Sequence, residues 1–150
     1  MTFNKTIVAL TCASLVSISA LAFAHNGATG IVKERMDGMS AMGKDLKAIS
    51  EMIKGNTEYD GNTMRELALS IQSHSGEAML KLFPEGSMQP ASEARLEIWQ
   101  DWDRFSELAM DLEQVSQELA DTAGAGIDPM AFKAITTACA ACHKDFRLKK

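Results

Sequence analysis

The stretch Asp128-Pro129-Met130-Ala131-Phe132-Lys133-Ala134-Ile135-Thr136-Thr137-Ala138-Cys139-Ala140-Ala141-Cys142-His143-Lys144-Asp145-Phe146 decides the fold. Aspartate followed by proline is a strong helix start. The carboxylate caps free N–H groups, and proline suits the first helical position, where its missing N–H is not needed. Phe132, Ile135, Cys139, Cys142/His143 and Phe146 then recur every three or four residues, along one side of a helix. Cys139 and Cys142 with His143 directly after them read Cys-x-x-Cys-His, the attachment pattern of a c-type haem. One helical turn separates the thiols, which suits thioether bonds to the two vinyl groups of one porphyrin. The adjacent imidazole of His143 is then aimed at the iron as an axial ligand. The last helix is thus expected to carry its haem motif on the core face.

Competing readings of the cysteine pair are weaker. A zinc site needs about four N or S ligands, and outside the motif the chain offers only His25, His74 and Cys12. A thioredoxin-like redox pair needs a βαβ setting, and no segment alternates like a strand. A purely structural pair leaves the neighbouring His143 unexplained.

Residues 1–24 read as a secretory signal. Lys5 supplies the positive end, residues 7–21 are apolar and uncharged, and Ala22-Phe23-Ala24 fits small-x-small cleavage. The apolar run is short for a membrane span, which needs about 20 residues, so no anchor is expected after cleavage. Cys12 falls inside the removed segment. Export places the chain in the periplasm, outside the reducing cytosol, and the mature domain spans residues 25–150. Loss of Lys5 takes the formal charge from −5 to −6. Such a balance argues against nucleic acid or an anionic membrane as partner and suits a basic redox protein.

Working back from the last helix, three more amphipathic segments appear. Residues 29–54 carry Val32, Met36, Met39, Gly43, Leu46, Ser50 and Ile53 on one stripe, widened by Met42 and Ile49, and end at Gly55-Asn56. Residues 63–82 open with a Thr63/Glu66 capping box and place Met64, Leu67, Ile71, His74/Ser75, Ala78 and Leu82 inward. Phe83-Pro84-Glu85-Gly86 stops that helix. Residues 95–122 place Ile98, Trp102, Phe105, Leu108, Leu112, Val115 and Leu119 inward, and Gly124 and Gly126 close the helix. The fold class is therefore all-α: an antiparallel up-down-up-down four-helix bundle with covalently bound haem c, an architecture that holds cofactors between facing helices.

In such a bundle the first helix lies beside the last. Its Met36, Met39 and Met42 are candidate thioether ligands for the far side of the iron, although methionine at helical spacing also serves as core filler. Arg147, one turn after His143, suits a haem propionate or a helix-terminal carbonyl. His74 reads as a core or boundary histidine.

These features resemble the class II cytochromes c, the cytochrome c′ family, over about residues 31–147. The resemblance is carried by the C-terminal Cys-x-x-Cys-His, by Lys144-Asp145-Phe146-Arg147 as an aromatic-Arg ending, by Ile98-Trp99 with the preceding Phe83-Pro84-Glu85-Gly86, and by Val32-Lys33-Glu34-Arg35. It implies that the distal position of the first helix is Met39, that Arg35 lies near a propionate, and that Trp99 shields a haem edge. Methionine at that position points to the low-spin, cytochrome c-556-like branch, whose iron is six-coordinate.

The first functional reading is accordingly a periplasmic carrier of single electrons, not an enzyme, with one haem c ligated by His143 and Met39. Redox proteins would be its partners. The alternative is a five-coordinate cytochrome c′ that binds nitric oxide or carbon monoxide. A peroxidase would want a polar distal base, and only Arg35 is placed to serve. Non-covalent cytochrome b bundles lack the cysteine pair. Monomer and homodimer both remain open.

Overall fold

The first helix owes its limits to its two ends. In the computed structural model, which describes residues 27–149, α1 spans Gly30–Ile53. Thr29 is its N-cap with no side-chain cap bond, and Gln89 pins its backbone instead: the Thr29 N–H donates to Oε1 of Gln89 at 3.0 Å, and Nε2 of Gln89 donates back to the Thr29 carbonyl at 3.2 Å. At the other end Gly55 takes φ +74°. Its N–H reaches the Met52 carbonyl at 3.1 Å, and that of Asn56 reaches Glu51 at 2.9 Å. This pair of bonds is the Schellman stop, which needs a left-handed residue and so favours glycine. The signal segment read at residues 1–24 lies outside the described residues.

The second bundle member is α2 (Gly61–Ser73) followed by a short α3 (Gly76–Leu80). The expected capping box is not the start. Asp60 is the N-cap, its carboxylate accepting from the Thr63 N–H at 2.6 Å; a short acid three residues upstream captures that donor before Thr63 can act as a cap. The expected continuous helix also breaks near His74. Ser73 Oγ and Ser75 Oγ donate to the carbonyls of Ser70 and Ile71 at 2.8 and 2.7 Å, and His74 Nδ1 lies 2.8 Å from the Ser70 carbonyl. Side chains thus occupy acceptors that the helix would use, and Gly76 turns left-handed at φ +53°. The break advances the inner face by one position, so Met79 is buried where Ala78 was expected, and Ala78 is exposed.

The third member is likewise interrupted, as α4 (Glu97–Gln100) and α5 (Trp102–Thr122) with a break at Asp101. The lead-in is tied to the end of the chain. Arg95 N–H donates to the Phe146 carbonyl at 3.0 Å, Leu148 N–H donates to that of Glu93 at 2.8 Å, and Ala94 forms an isolated bridge with Arg147. Because of the break Trp102 does not face inward as expected; it is 37% exposed. Trp99 takes the inner role, half-buried, with Nε1 donating to the Phe83 carbonyl at 2.9 Å. A 3-10 turn (Ala123–Ala125) then leads to α6 (Pro129–Phe146), which starts as the sequence predicts: the Asp128 carboxylate accepts from Met130 and Ala131 N–H at 2.9 and 3.1 Å.

The four members pack as an antiparallel bundle with no strand among the described residues. Ile49, Met64, Ile71, Phe105, Leu108, Leu119 and Ile135 form the buried centre. Ala68, Ala109 and Ala120 are buried, and α2 and α5 make the most extensive helix contact. By contrast α1 and α6 scarcely touch. A bundle closed on three sides and splayed on the fourth leaves a cleft at that seam.

Candidate functional site: the cleft between the first and last helices

The cleft has a volume of about 470 Å3. Its α1 wall presents Arg35, Met36, Met39, Ser40 and Gly43, and its α6 wall presents Cys142, His143 and Phe146, with Arg147 just beyond the helix. Phe83, Ile98 and Phe105 close the back, and Ser92, Glu93 and Ala94 form one edge. The stripe read along α1 therefore resolves into two faces. Val32, Met42, Ile49 and Met52 are buried in the bundle, while Met36 and Met39 are half-buried on the cleft.

The predicted site residues largely converge. Met39 and His143 stand on facing walls of one space. Met36 shares the α1 wall. Met42 does not: it is 8% exposed, and its sulfur receives a long contact of 3.9 Å from Ser75 Oγ on the opposite side of the helix. Cys139 and Cys142 are free thiols, both half-buried. Cys142 lines the cleft, and Cys139 packs against the core one turn earlier. Burial pushes the Cys139 thiol up, and it pushes Cys142 up to about 11, with Cys139 and Asp145 adding to the shift. His143 is exposed towards the cleft mouth. Desolvation and then Arg147 hold its imidazole below the ordinary value, against Glu93. The neutral imidazole is the form that binds a metal.

Arg35 tests whether an anionic cofactor fits. It is only 3% exposed, and burial lowers its pKa. Nη2 donates to the backbone carbonyl of Ser87 and, at 2.8 Å, to Ser87 Oγ, while the guanidinium lies 4.4 Å from the centre of the Phe83 ring. Nε and Nη1 are buried with no hydrogen-bond partner. A guanidinium stays charged, and buried donors left unmet cost free energy. A carboxylate entering the cleft would give them partners. Two thiols one turn apart, an imidazole, a facing thioether and an unmet cation together fit a haem bonded to α6.

Comparison with known proteins agrees. The family model described as Cytochrome C' matches residues 30–147. The chain belongs to the cytochrome c′ family. Haem c, covalently attached, is the cofactor of these cytochromes, which serve as electron carriers or gas binders. This cytochrome is 31% identical over 126 residues to cytochrome c-556 of Agrobacterium tumefaciens (strain II Chrys), covering 81% of this chain and 99% of that protein. It is 31% identical over 129 residues to cytochrome c' of Rhodopseudomonas palustris, covering 81% and 84%. Among solved structures it resembles cytochrome c' from Thermochromatium tepidum at TM-score 0.72 and 25% identity, covering 79% of this chain and 95% of that one. A nitric oxide complex of a cytochrome c prime variant from Alcaligenes xylosoxidans matches at TM-score 0.71 and 26% identity, covering 80% and 94%.

Three placements differ from simple expectation or add to it. Arg147 is at the cleft rim with its guanidinium on Glu93, Nε at 2.7 Å and Nη2 at 2.6 Å from Oε2. Trp99 does not line the cleft; it lies behind Phe83, beside Pro84 and Trp102. Ser87 and Glu93, the partners of Arg35 and Arg147, went unread in the sequence, because nothing local marks a loop residue as the partner of one about fifty positions away.

Proposed function

We propose that this cytochrome carries single electrons in the periplasm, with residues 1–24 as its export signal, and that it acts as a carrier and not an enzyme. Cys139 and Cys142 would bond the haem, His143 and Met39 would supply donors to its iron, and Arg35 would meet a propionate, with Arg147 as a second cation at the rim. The observation that supports this reading is that His143 and Met39 line one cleft, from α6 and α1 respectively. Haem supplies a one-electron couple at iron.

The chain's own residues account for the rest. His143 and Met39 belong to separate helices of a packed bundle, so each donor is held from its own side whichever redox state is present. Small rearrangement favours fast transfer to a docked partner. Phe83, Ile98, Phe105 and Phe146 keep water from the back of the cleft. Arg35 would balance negative charge there.

The test is absorption and spin state on the purified holoprotein and on Met39→Ala. The expected wild type is low-spin, and the variant turns high-spin and takes carbon monoxide readily. A wild type that is already high-spin and gas-reactive overturns the reading in favour of a five-coordinate gas binder. That second reading draws on the Alcaligenes xylosoxidans relative, whose structure is a nitric oxide complex.

A further inference from the structure

The back wall of the cleft has an outer side. Phe83 lines the cleft and also a shallow depression on the outer surface, where Pro84, Trp99 and Trp102 join it, with Lys81 and Glu85 beside them. Phe83 is 5% exposed, and Phe105, which closes the cleft next to it, is 2% exposed. Their rings meet edge-on with centres 4.8 Å apart, and the Trp102 ring lies 5.6 Å from that of Phe105. A group in the cleft and a body seated on Trp102 would then be parted by one layer of rings.

Trp102 is turned outward by the break at Asp101 and is 37% exposed. Tryptophan is among the side chains most enriched as anchors of protein interfaces. The charges around it are one-sided. Glu85, Asp101 and Asp103 are exposed, with Lys81 as the cation among them. Arg95 and Arg104 are each engaged by an acid of their own, Glu97 and Glu107. An apolar centre with an acidic rim, on a chain of net negative charge, fits a partner that presents an apolar spot ringed by lysines. The cleft mouth is the rival route, and its charges have the wrong sign for such a partner. Lys144 follows His143 and is exposed, Arg147 is exposed at the rim, and Glu93 is taken up by Arg147.

Resting on the electron-carrier reading above, we propose that the Trp99–Trp102 face is where a basic redox protein docks, so that electrons cross the Phe83/Phe105 wall and not the mouth at His143. Tunnelling falls off steeply with distance, and a thin wall that also bears an anchor suits the route. One electron leaves the reduced protein and enters the oxidised one; no bond forms or breaks and no proton moves.

The probe is a lysine-rich class I cytochrome c. For binding it carries zinc in place of iron, so that no electron moves, and the complex with the 15N-labelled holoprotein is followed by NMR. The chain has two tryptophans, and the indole N–H signal of Trp102 should shift on titration. Trp102→Ala should weaken the complex roughly tenfold, as loss of an interface anchor does. Electron exchange with the iron form is followed by stopped flow, in the direction the measured potentials make downhill. Glu85→Lys/Asp103→Lys should slow it roughly tenfold at about 0.01 M salt, where charges act over about 30 Å, and scarcely at all at about 1 M, where they act over about 3 Å. Both variants should keep the resting spectrum and the rate of reduction by a small uncharged reductant, which a misfolded protein would not. Binding and exchange that both variants leave at wild-type values overturn the proposal. A gain from Lys144→Glu with no response of the Trp102 signal also overturns it, because the partner would then sit over the mouth. A wild-type holoprotein that the small reductant reduces but that exchanges no electron with the probe sinks the carrier reading itself.

Discussion

Arg147 grips a single carboxylate oxygen of Glu93 with two nitrogens, Nε at 2.7 Å and Nη2 at 2.6 Å. The pair sits at the rim of the cleft, with the side chains 52% and 26% exposed. An exposed pair of this kind contributes little to stability, typically under about 1 kcal/mol. Its effect should show in redox behaviour instead. Removing a negative charge beside the cleft favours the added electron, so Glu93→Gln should raise the reduction potential. Exposed charges at about 4 Å interact by roughly 1 kcal/mol in water, so the shift should be of the order of tens of millivolts. Spectroelectrochemical titration checks it, and a fall in potential would contradict the placement of Glu93 at the site.

Arg35→Leu should move the potential the other way. The guanidinium is buried with two donors unmet, and a cation near the iron favours the reduced state. Its loss should lower the potential by more than Glu93→Gln raises it, because burial weakens screening. Ser87→Ala removes one partner of Arg35 while leaving its charge in place. Redox titration of the three variants should give a large negative shift, a smaller positive one and little change, respectively.

The cysteines are separable by their chemistry. Cys139→Ala/Cys142→Ala should retain no haem through boiling in detergent, read as a haem-stained gel band reduced to background. Each single variant should keep one bond and a stained band, with a shifted pyridine haemochrome peak. Strong stain in the double variant would remove the covalent attachment.

Met42 and Met39 should fail in different ways. Met42 is buried, with its sulfur towards Ser75, so Met42→Ala should cost about 2–5 kcal/mol of stability, as buried truncations do, with the resting spectrum unchanged. Met39→Ala should change the spectrum, with a smaller loss on denaturant titration. The reverse pattern would mean that the α1 register is wrong.

Asp60 supplies a pH signature. The Thr63 N–H, the largest cause, holds its carboxyl below the ordinary 3.8. Folding therefore favours the charged form, and the stability this contributes is fully present above the ordinary value and is lost as pH falls through the lower folded one. Asp60→Ala should lower stability at neutral pH. The gap from wild type should narrow below pH 3.8. Chemical denaturation at a series of pH values measures it, and a gap that stays constant into acid would remove Asp60 as an ionised cap.

Much of the architecture was legible because it rests on local signals. Asp128-Pro129 and Gly55-Asn56 mark helix ends through bonds made within a few residues, and both stand where the sequence puts them. The breaks at His74 and Asp101 were not legible. Apolar spacing runs through both, and the serine hydroxyls around His74 show their effect only once their acceptors are known. That also explains the misplacement of Trp102, which follows a break that resets the helical phase. At the site, the haem motif was local and plain. The α1 stripe joined core and cleft positions, since periodicity shows that a face is apolar without telling which of two neighbours it meets. Only the seam between α1 and α6 separates Met39 from Met42.

The hydrogen bonds from Arg95 to Phe146 and from Leu148 to Glu93 bear on biogenesis. They join residues 93–95 to residues 146–148, so this seam closes only after the segment carrying Cys139 and Cys142 has been made. An attachment enzyme working on an emerging chain meets those thiols before the bundle can shut over them. A purification tag fused directly after Phe146 would disturb this clasp.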